Sequence, residues 1–262
     1  PEAGRTARGI AIVNLLEIMP GEQINAVIPI NEFKPDQYLV MITKQGIIKK
    51  TDMMSYSNIR KGGLNAINLR DDDQLISVMV TDGKRDIFVA THDGMGIKFN
   101  EDDARPMGRT ATGVRAIKLR ENDYVVSSGL CDDAMQVLNV TENGYGKRTN
   151  IDEFNLQKRG GMGVKIHNIT DKTGKITSTL MVADGEEIML ITSEGVIIRL
   201  RAEDISTVGR ASQGVKLINL SDGVKVAGAA KIAADQLEEE AEQSAEKADG
   251  NPNVNQEEKP EE

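Results

Sequence analysis

The chain repeats itself about every 50 residues, and this limits its architecture more than any other feature. Five segments share a basic cluster, a glycine and a short apolar-alternating run. They open on Arg5-Thr6-Ala7-Arg8-Gly9, Arg60-Lys61-Gly62-Gly63, Arg109-Thr110-Ala111-Thr112-Gly113, Gln157-Lys158-Arg159-Gly160-Gly161-Met162-Gly163 and Arg210-Ala211-Ser212-Gln213-Gly214. The closing glycines are spaced by 54, 50, 50 and 51 residues. A repeat of this length buries its apolar face only against its neighbours, which points to a radial array rather than a single-core enzyme.

A second signal lies between these anchors: Thr43-Lys44-Gln45-Gly46, Thr91-His92-Asp93-Gly94, Thr141-Glu142-Asn143-Gly144 and Thr192-Ser193-Glu194-Gly195. Each follows an apolar run, at 38–42, 87–90, 135–140 and 188–191. Apolar run, turn residues and a further extended run predict a hairpin, with Asp-Gly and Asn-Gly suited to a primed turn. Upstream runs at 24–30, 75–80, 124–129 and 176–182 add strand candidates, and the run after each anchor glycine makes about four strands per unit. That is the arithmetic of a propeller blade. The expectation is an all-β body over 1–234, with four full repeats, a partial fifth from Gly214, and polar connectors such as 53–58 and 102–107. Residues 229–248, rich in Ala and Glu, are the one helix candidate.

The net charge of −9 is confined to the end of the chain. Residues 235–262 hold 11 acids and two bases, while the body is balanced at 30 and 30. This low-complexity tail is expected to be disordered, serving either as a competitor for a basic surface or as a solubility tail. Aromatics make up 3% with no Trp, which argues against base-stacking platforms for single strands. The single cysteine, Cys131, reads as a packed thiol in a reducing cytosol. No apolar run approaches the length of a membrane span. The chain opens on Pro1, close to a repeat signature, as expected of a fragment of a longer protein.

The basic cluster has a physical use. Glycines let a backbone approach a partner closely, and the N–H groups of such a loop can bind anionic oxygens. Lys158 and Arg159 supply charge and a fork matched to phosphate beside Gly160, Gly161 and Gly163. Two residues past the anchor stand further bases, Arg115, Lys165 and Lys216. Four residues past each hairpin glycine stand Lys50, Lys98, Arg148 and Arg199, which either extend the positive surface or solvate the blade edge. Phosphate-sized sites repeated once per blade form a perimeter and suit a long polyanion bent around the body, held without reading its sequence. Five clusters each neutralising about two phosphates give a salt slope on the order of −9.

Gln157–Gly163 resembles the gyrase A box, Q-R-R-G-G-(K/R)-G, and residues 8–16 are similar to the run that follows that box by one blade. The likeness covers residues 4–234, and the acidic tail fits it. The C-terminal DNA-wrapping domains of this family are β-pinwheels, propeller-like arrays that exchange strands between blades. The resemblance implies duplex DNA as ligand, wrapped around the rim in support of negative supercoiling by a type II topoisomerase. It also implies the remainder of the gyrase A protein and the gyrase B protein as partners, and a bacterial cytoplasmic, nucleoid-associated setting. Carried over by position, the DNA contacts are Lys158, Arg159 and the loop glycines, with Arg5, Arg8, Arg60, Lys61, Arg109 and Arg210 as auxiliaries. The departures are Lys158 in place of an Arg, Met162 in place of the last base, and the absence of the family's intact first-blade box.

No catalytic set emerges. Phosphate-binding and dinucleotide motifs are missing, and Tyr38, Tyr56, Tyr124 and Tyr145 match no cleavage-tyrosine context. No cofactor is expected in this chain; ATP and Mg²⁺ are implied only for the holoenzyme. His92 reads as an exposed turn residue and His167 as a strand residue, neither at metal-ligand spacing. The acid groups 71–73, 101–103 and 132–133 read as loop-solvating. Two other readings stay open: the corresponding topoisomerase IV domain, which binds and bends DNA, and a propeller that docks proteins.

Overall fold

The computed structural model describes residues 14, 21–22, 24–30, 32–59, 62–132 and 135–232. Among them, fifteen strands follow in order: β1 (Tyr38–Thr43), β2 (Ile47–Asp52), β3 (Leu75–Thr81), β4 (Asp86–Thr91), β5 (Met95–Asn100), β6 (Val114–Arg115), β7 (Val125–Cys131), β8 (Gln136–Thr141), β9 (Tyr145–Asn150), β10 (Val164–Lys165), β11 (Ile176–Val182), β12 (Glu187–Thr192), β13 (Ile197–Arg201), β14 (Val215–Lys216) and β15 (Val226–Lys231). They form four antiparallel sheets, the blades, with orders β3-β1-β2-β6, β7-β4-β5-β10, β11-β8-β9-β14 and β15-β12-β13. The inner strands β3, β7, β11 and β15 pack side by side in sequence order.

Each blade is built on a hairpin, β1–β2, β4–β5, β8–β9 or β12–β13. The turn differs from the primed form expected. Only Gly46, Gly94, Gly144 and Gly195 take positive φ there, and each donates its N–H back to the threonine three residues earlier. This is an ordinary turn closed by a bulge glycine. The recurring threonine also helps to hold the turn. Thr43, Thr91, Thr141 and Thr192 accept through Oγ1 from the backbone N–H four residues on, at 3.1–3.3 Å.

The repeat of the sequence and the blade of the structure are out of phase. The run after Gly113 gives only the two-residue strand β6, which pairs back onto β2 of the first blade. In the same way β10 pairs with β5, and β14 with β9. Each rim strand therefore arrives from beyond the next hairpin. The fourth blade has three strands among the described residues. The segment 24–30, expected to be a strand, forms none: Pro29 lacks an N–H, and Val27 is 78% exposed. Residues 229–231 of the expected helix belong to β15, and its remainder from 233, like the acidic tail and the Gly9 anchor, lies outside the described residues.

The apolar cores lie between blades. One joins Val40, Ile42 and Ile48 to Ile87, Val89 and Phe99; the next joins Phe88 and Ala90 to Val137, Phe154 and Ile166; the third joins Leu138 and Val140 to Ile188 and Leu190. Phe88 and Phe154 meet edge-on at 4.9 Å, a geometry worth about 1 kcal/mol beyond area burial. Cys131 is packed in the second core, and burial pushes its thiol up to about 12.

Candidate nucleic-acid interface

The described box loops sit on the outer edges of the first three blades. After the hairpin of the third blade, a 3-10 turn (Ile151–Glu153) carries the chain back to β5, where Gln157 donates its N–H to the Lys98 carbonyl at 2.8 Å. The loop then rises and rejoins the same strand as β10. Met107 on Lys50 and Val208 on Arg148 repeat the arrangement on β2 and β9, at 2.8 and 2.9 Å. The anchor glycine is dictated by that return: a Cβ on Gly163 would lie 2.2 Å from the Gly96 carbonyl oxygen.

Successive boxes also bond to one another. Arg159 donates from one guanidinium nitrogen to the Arg115 carbonyl at 3.0 Å, and Arg210 repeats this on the Lys165 carbonyl at 3.2 Å. Lys118 donates its N–H to the Gly161 carbonyl at 2.8 Å, and Asn168 its own to Ser212 at 3.0 Å. The rim is thus one continuous seam. It brings Arg115 beside Arg159 and Gly160, and Lys165 beside Arg210. Lys158, Arg115, Lys165 and Lys216 are exposed, while Arg109, Arg159 and Arg210 are half-buried. Arg5, Arg8, Arg60 and Lys61 fall outside the described residues.

Acids flank the seam. Lys158 pairs with Asp103 at 2.8 Å while 90% exposed, and Arg159 Nε donates to the Asp103 carbonyl at 2.7 Å. The Lys158 hydrogen bond, reinforced by the Arg159 backbone, holds the Asp103 carboxyl below its usual range. An exposed pair of this kind is worth little, so phosphate can displace the carboxylate from the ammonium.

The hairpin bases are a correction. Lys50 is buried, paired with the buried Glu101 at 3.2 Å and lying over the Tyr38 ring. Arg148 is buried too, donating to the carbonyls of Ile205 (2.8 Å) and Glu203 (3.2 Å) and pairing with Asp184. Lys98 donates to the Ile151 carbonyl at 3.2 Å. These three tie the 3-10 turns to the blade and do not extend an outer positive surface; a buried charge needs such partners. Arg199 is exposed and pairs with Glu187.

Two lysines that the sequence reading passed over are completely buried. Lys147 donates to the carbonyls of Gly209 (2.8 Å) and Arg210 (2.6 Å), and Lys49 to those of Ala66 (2.5 Å) and Arg109. Burial lowers both ammonium groups to about 8. When the hairpins are aligned, the corresponding residues are Ile97 and Ile198. A base in an apolar column was the available signal. His167, buried and outside any strand, is lowered to about 4 by burial and then by Lys147, so its ring is neutral. His92 is likewise more covered than expected, stacked on Tyr124 at 4.5 Å. Among the acid groups, Asp73 staples a turn, accepting from the Gln45 N–H at 2.8 Å; Asp123, outside those groups, does the same for the Asp93 N–H at 3.0 Å.

A model of the DNA gyrase C-terminal domain, described as a beta-propeller, matches residues 37–82, 85–132, 136–183 and 186–233. The DNA gyrase A protein of Clostridium acetobutylicum is 50% identical over 259 residues, covering 98% of this chain and 31% of that protein. Its counterpart in Halalkalibacterium halodurans is 59% identical over 232 residues, covering 88% of this chain and 28% of that protein. The chain therefore spans about a third of the length of these relatives. Among solved structures, a C-terminal domain of DNA topoisomerase IV superposes with a TM-score of 0.83 at 30% identity, covering 92% of this chain and 75% of that one. A DNA gyrase A C-terminal domain superposes at 0.77 and 25% identity, covering 87% and 76%.

Proposed function

Because the chain belongs to the DNA gyrase C-terminal domain family, we propose that it binds duplex DNA without sequence preference along the box seam and bends it around the rim. The observation that carries this reading is the bonding of one box to the next, with cations outward at matching positions on three blades. Contacts of this kind go to phosphates and position a duplex without reading its bases. Bending costs about 1–6 kcal/mol per 20–30 base pairs, so contacts must recur along the path, and a seam supplies that recurrence. Lys158, Arg159, Arg115, Lys165, Arg109, Arg210 and Lys216 form the described contact set. If each neutralises one phosphate, the salt slope is about −6, shallower than five full boxes imply.

Wrapping of this kind supports negative supercoiling by a type II topoisomerase assembled from the gyrase A and gyrase B proteins in the bacterial cytoplasm. The test is relaxation of DNA minicircles with a topoisomerase in the presence of the chain. A shift in linking number together with a steep salt dependence supports wrapping. The likeness to the topoisomerase IV domain favours a second reading, bending without a net wrap, which retains duplex binding but leaves linking number unchanged. A protein-docking propeller does neither.

A further inference from the structure

The box loops are of two kinds, and they differ in which way one peptide faces. In the second blade the turn Lys158–Gly161 has Gly160 at φ +80°, and the Gly160 N–H points inward, donating to the Ala116 carbonyl at 2.6 Å. The expectation that this N–H helps cradle an anion is thereby corrected. In the first and third blades the turns close differently: Ala111 N–H donates to Gly108 (3.1 Å) and Ser212 N–H to Gly209 (3.0 Å). Thr110 and Ala211 are not among the non-glycine residues with positive φ. The two turn types differ mainly in the orientation of their central peptide. Here that peptide points its carbonyl inward, Arg109 onto Lys49 and Arg210 onto Lys147.

In a trans peptide the N–H lies opposite the C=O. A carbonyl drawn down onto a buried ammonium therefore turns the next N–H outward. Those groups belong to Thr110 and Ala211, both exposed, and neither has a hydrogen-bond partner among the described residues. The second blade has Ile97 where the lysines stand, and a Cβ on Gly161 would touch its side chain at 3.6 Å. We propose that Lys49 and Lys147 are positioning residues that turn the Thr110 and Ala211 amides outward as donors to the phosphate oxygens of duplex DNA. The proposal rests on the duplex-binding reading given above. It assigns the first and third loops, which lack the paired glycines, a neutral phosphate contact that the second loop does not make. An anion on such amides needs no side-chain charge.

The test uses the whole chain with a fluorescent duplex, titrated at several salt concentrations. In one variant Ala211 is replaced by lactic acid through nonsense suppression, exchanging its N–H for an ester oxygen with the side chain unchanged. The other variant is Lys147→Met. The ester is expected to raise Kd about fivefold with the melting temperature nearly unchanged, the effect of one lost hydrogen bond. Lys147→Met is expected to raise Kd by a similar factor without changing the salt slope, and the two together no more than either alone. An ester chain that binds as tightly as the parent overturns the proposal. So does a Lys147→Met chain whose slope falls by about 0.9, which marks a lysine in direct contact with phosphate. If the unsubstituted chain shows no salt-dependent duplex binding, the parent reading has failed, and this is seen before any variant is made.

Discussion

The third and fourth blades are built on the same kind of hairpin, yet among the described residues only the third has a rim strand. In the third, β14 closes the edge of β9; a Cβ on Gly144 would meet Ile218 at 2.8 Å, and Lys147 is fully buried. In the fourth, a Cβ on Gly195 would meet nothing within 4 Å, and Ile197 stands 59% exposed where its counterpart Ile48 in the first blade is 0% exposed. Both hairpins form, so the turn and the inner strands suffice for the sheet. What the rim strand adds is burial and a place for the box. Blade formation and ligand-site formation are separable steps in this fold.

The largest expected effect tests that separation directly. Gly214→Val places a side chain 2.4 Å from the Gly146 carbonyl and should cost about 3 kcal/mol in urea unfolding, whereas Ile197→Ser on the open rim should cost less than about 0.5 kcal/mol. Equal losses would mean that the rims do not differ in packing. Next comes charge. Lys158→Ala with Arg159→Ala should weaken duplex binding regardless of sequence and lower the salt slope by about 2, while Arg199→Ala on the open rim should leave the slope alone.

A subtler contrast is set by pH. Lys147 faces Glu153, Arg210 and the neutral His167, and Lys49 faces Arg109; the fourth blade has Ile198 at that place. Their folded values, about 8, lie below the ordinary 10.5, so the unfolded chain binds more protons between the two. The contribution of these lysines to stability is therefore smallest below pH 8 and grows as pH rises from about 8 to 10.5. The difference in melting temperature between wild type and Lys147→Met should change over that window, and a flat difference would refute the assignment. Smallest of all, Asp103→Asn removes a carboxylate that competes for Lys158 and should tighten duplex binding about twofold in a fluorescence titration.

What could be read from residues alone divides along physical lines. The hairpins were legible because Thr, Gly and apolar alternation are local signals that act between near neighbours. The anchor glycines were legible as special positions, but the reason at Gly113, Gly163 and Gly214, contact with a carbonyl 65 to 68 residues earlier, is not local. The run after each glycine looked like a full strand because it is apolar; after Gly113, Gly163 and Gly214 only two residues pair, after Gly63 none do, and others, such as Ala116 and Ile117, turn away to join the core between the blades. Lys50 and Arg148 looked like rim charges because periodicity places a residue on a strand without saying which carbonyls lie beneath it.

The offset between repeat and blade bears on how such a molecule can change length. Since every rim strand is lent backwards to the preceding blade, a duplication of one period inserts a complete internal blade wherever its breakpoints fall, provided both cut the same phase. The strand and the hairpin edge it covers are copied together, so no new interface has to be invented. A family built this way can lengthen or shorten the arc it offers to a ligand in whole steps.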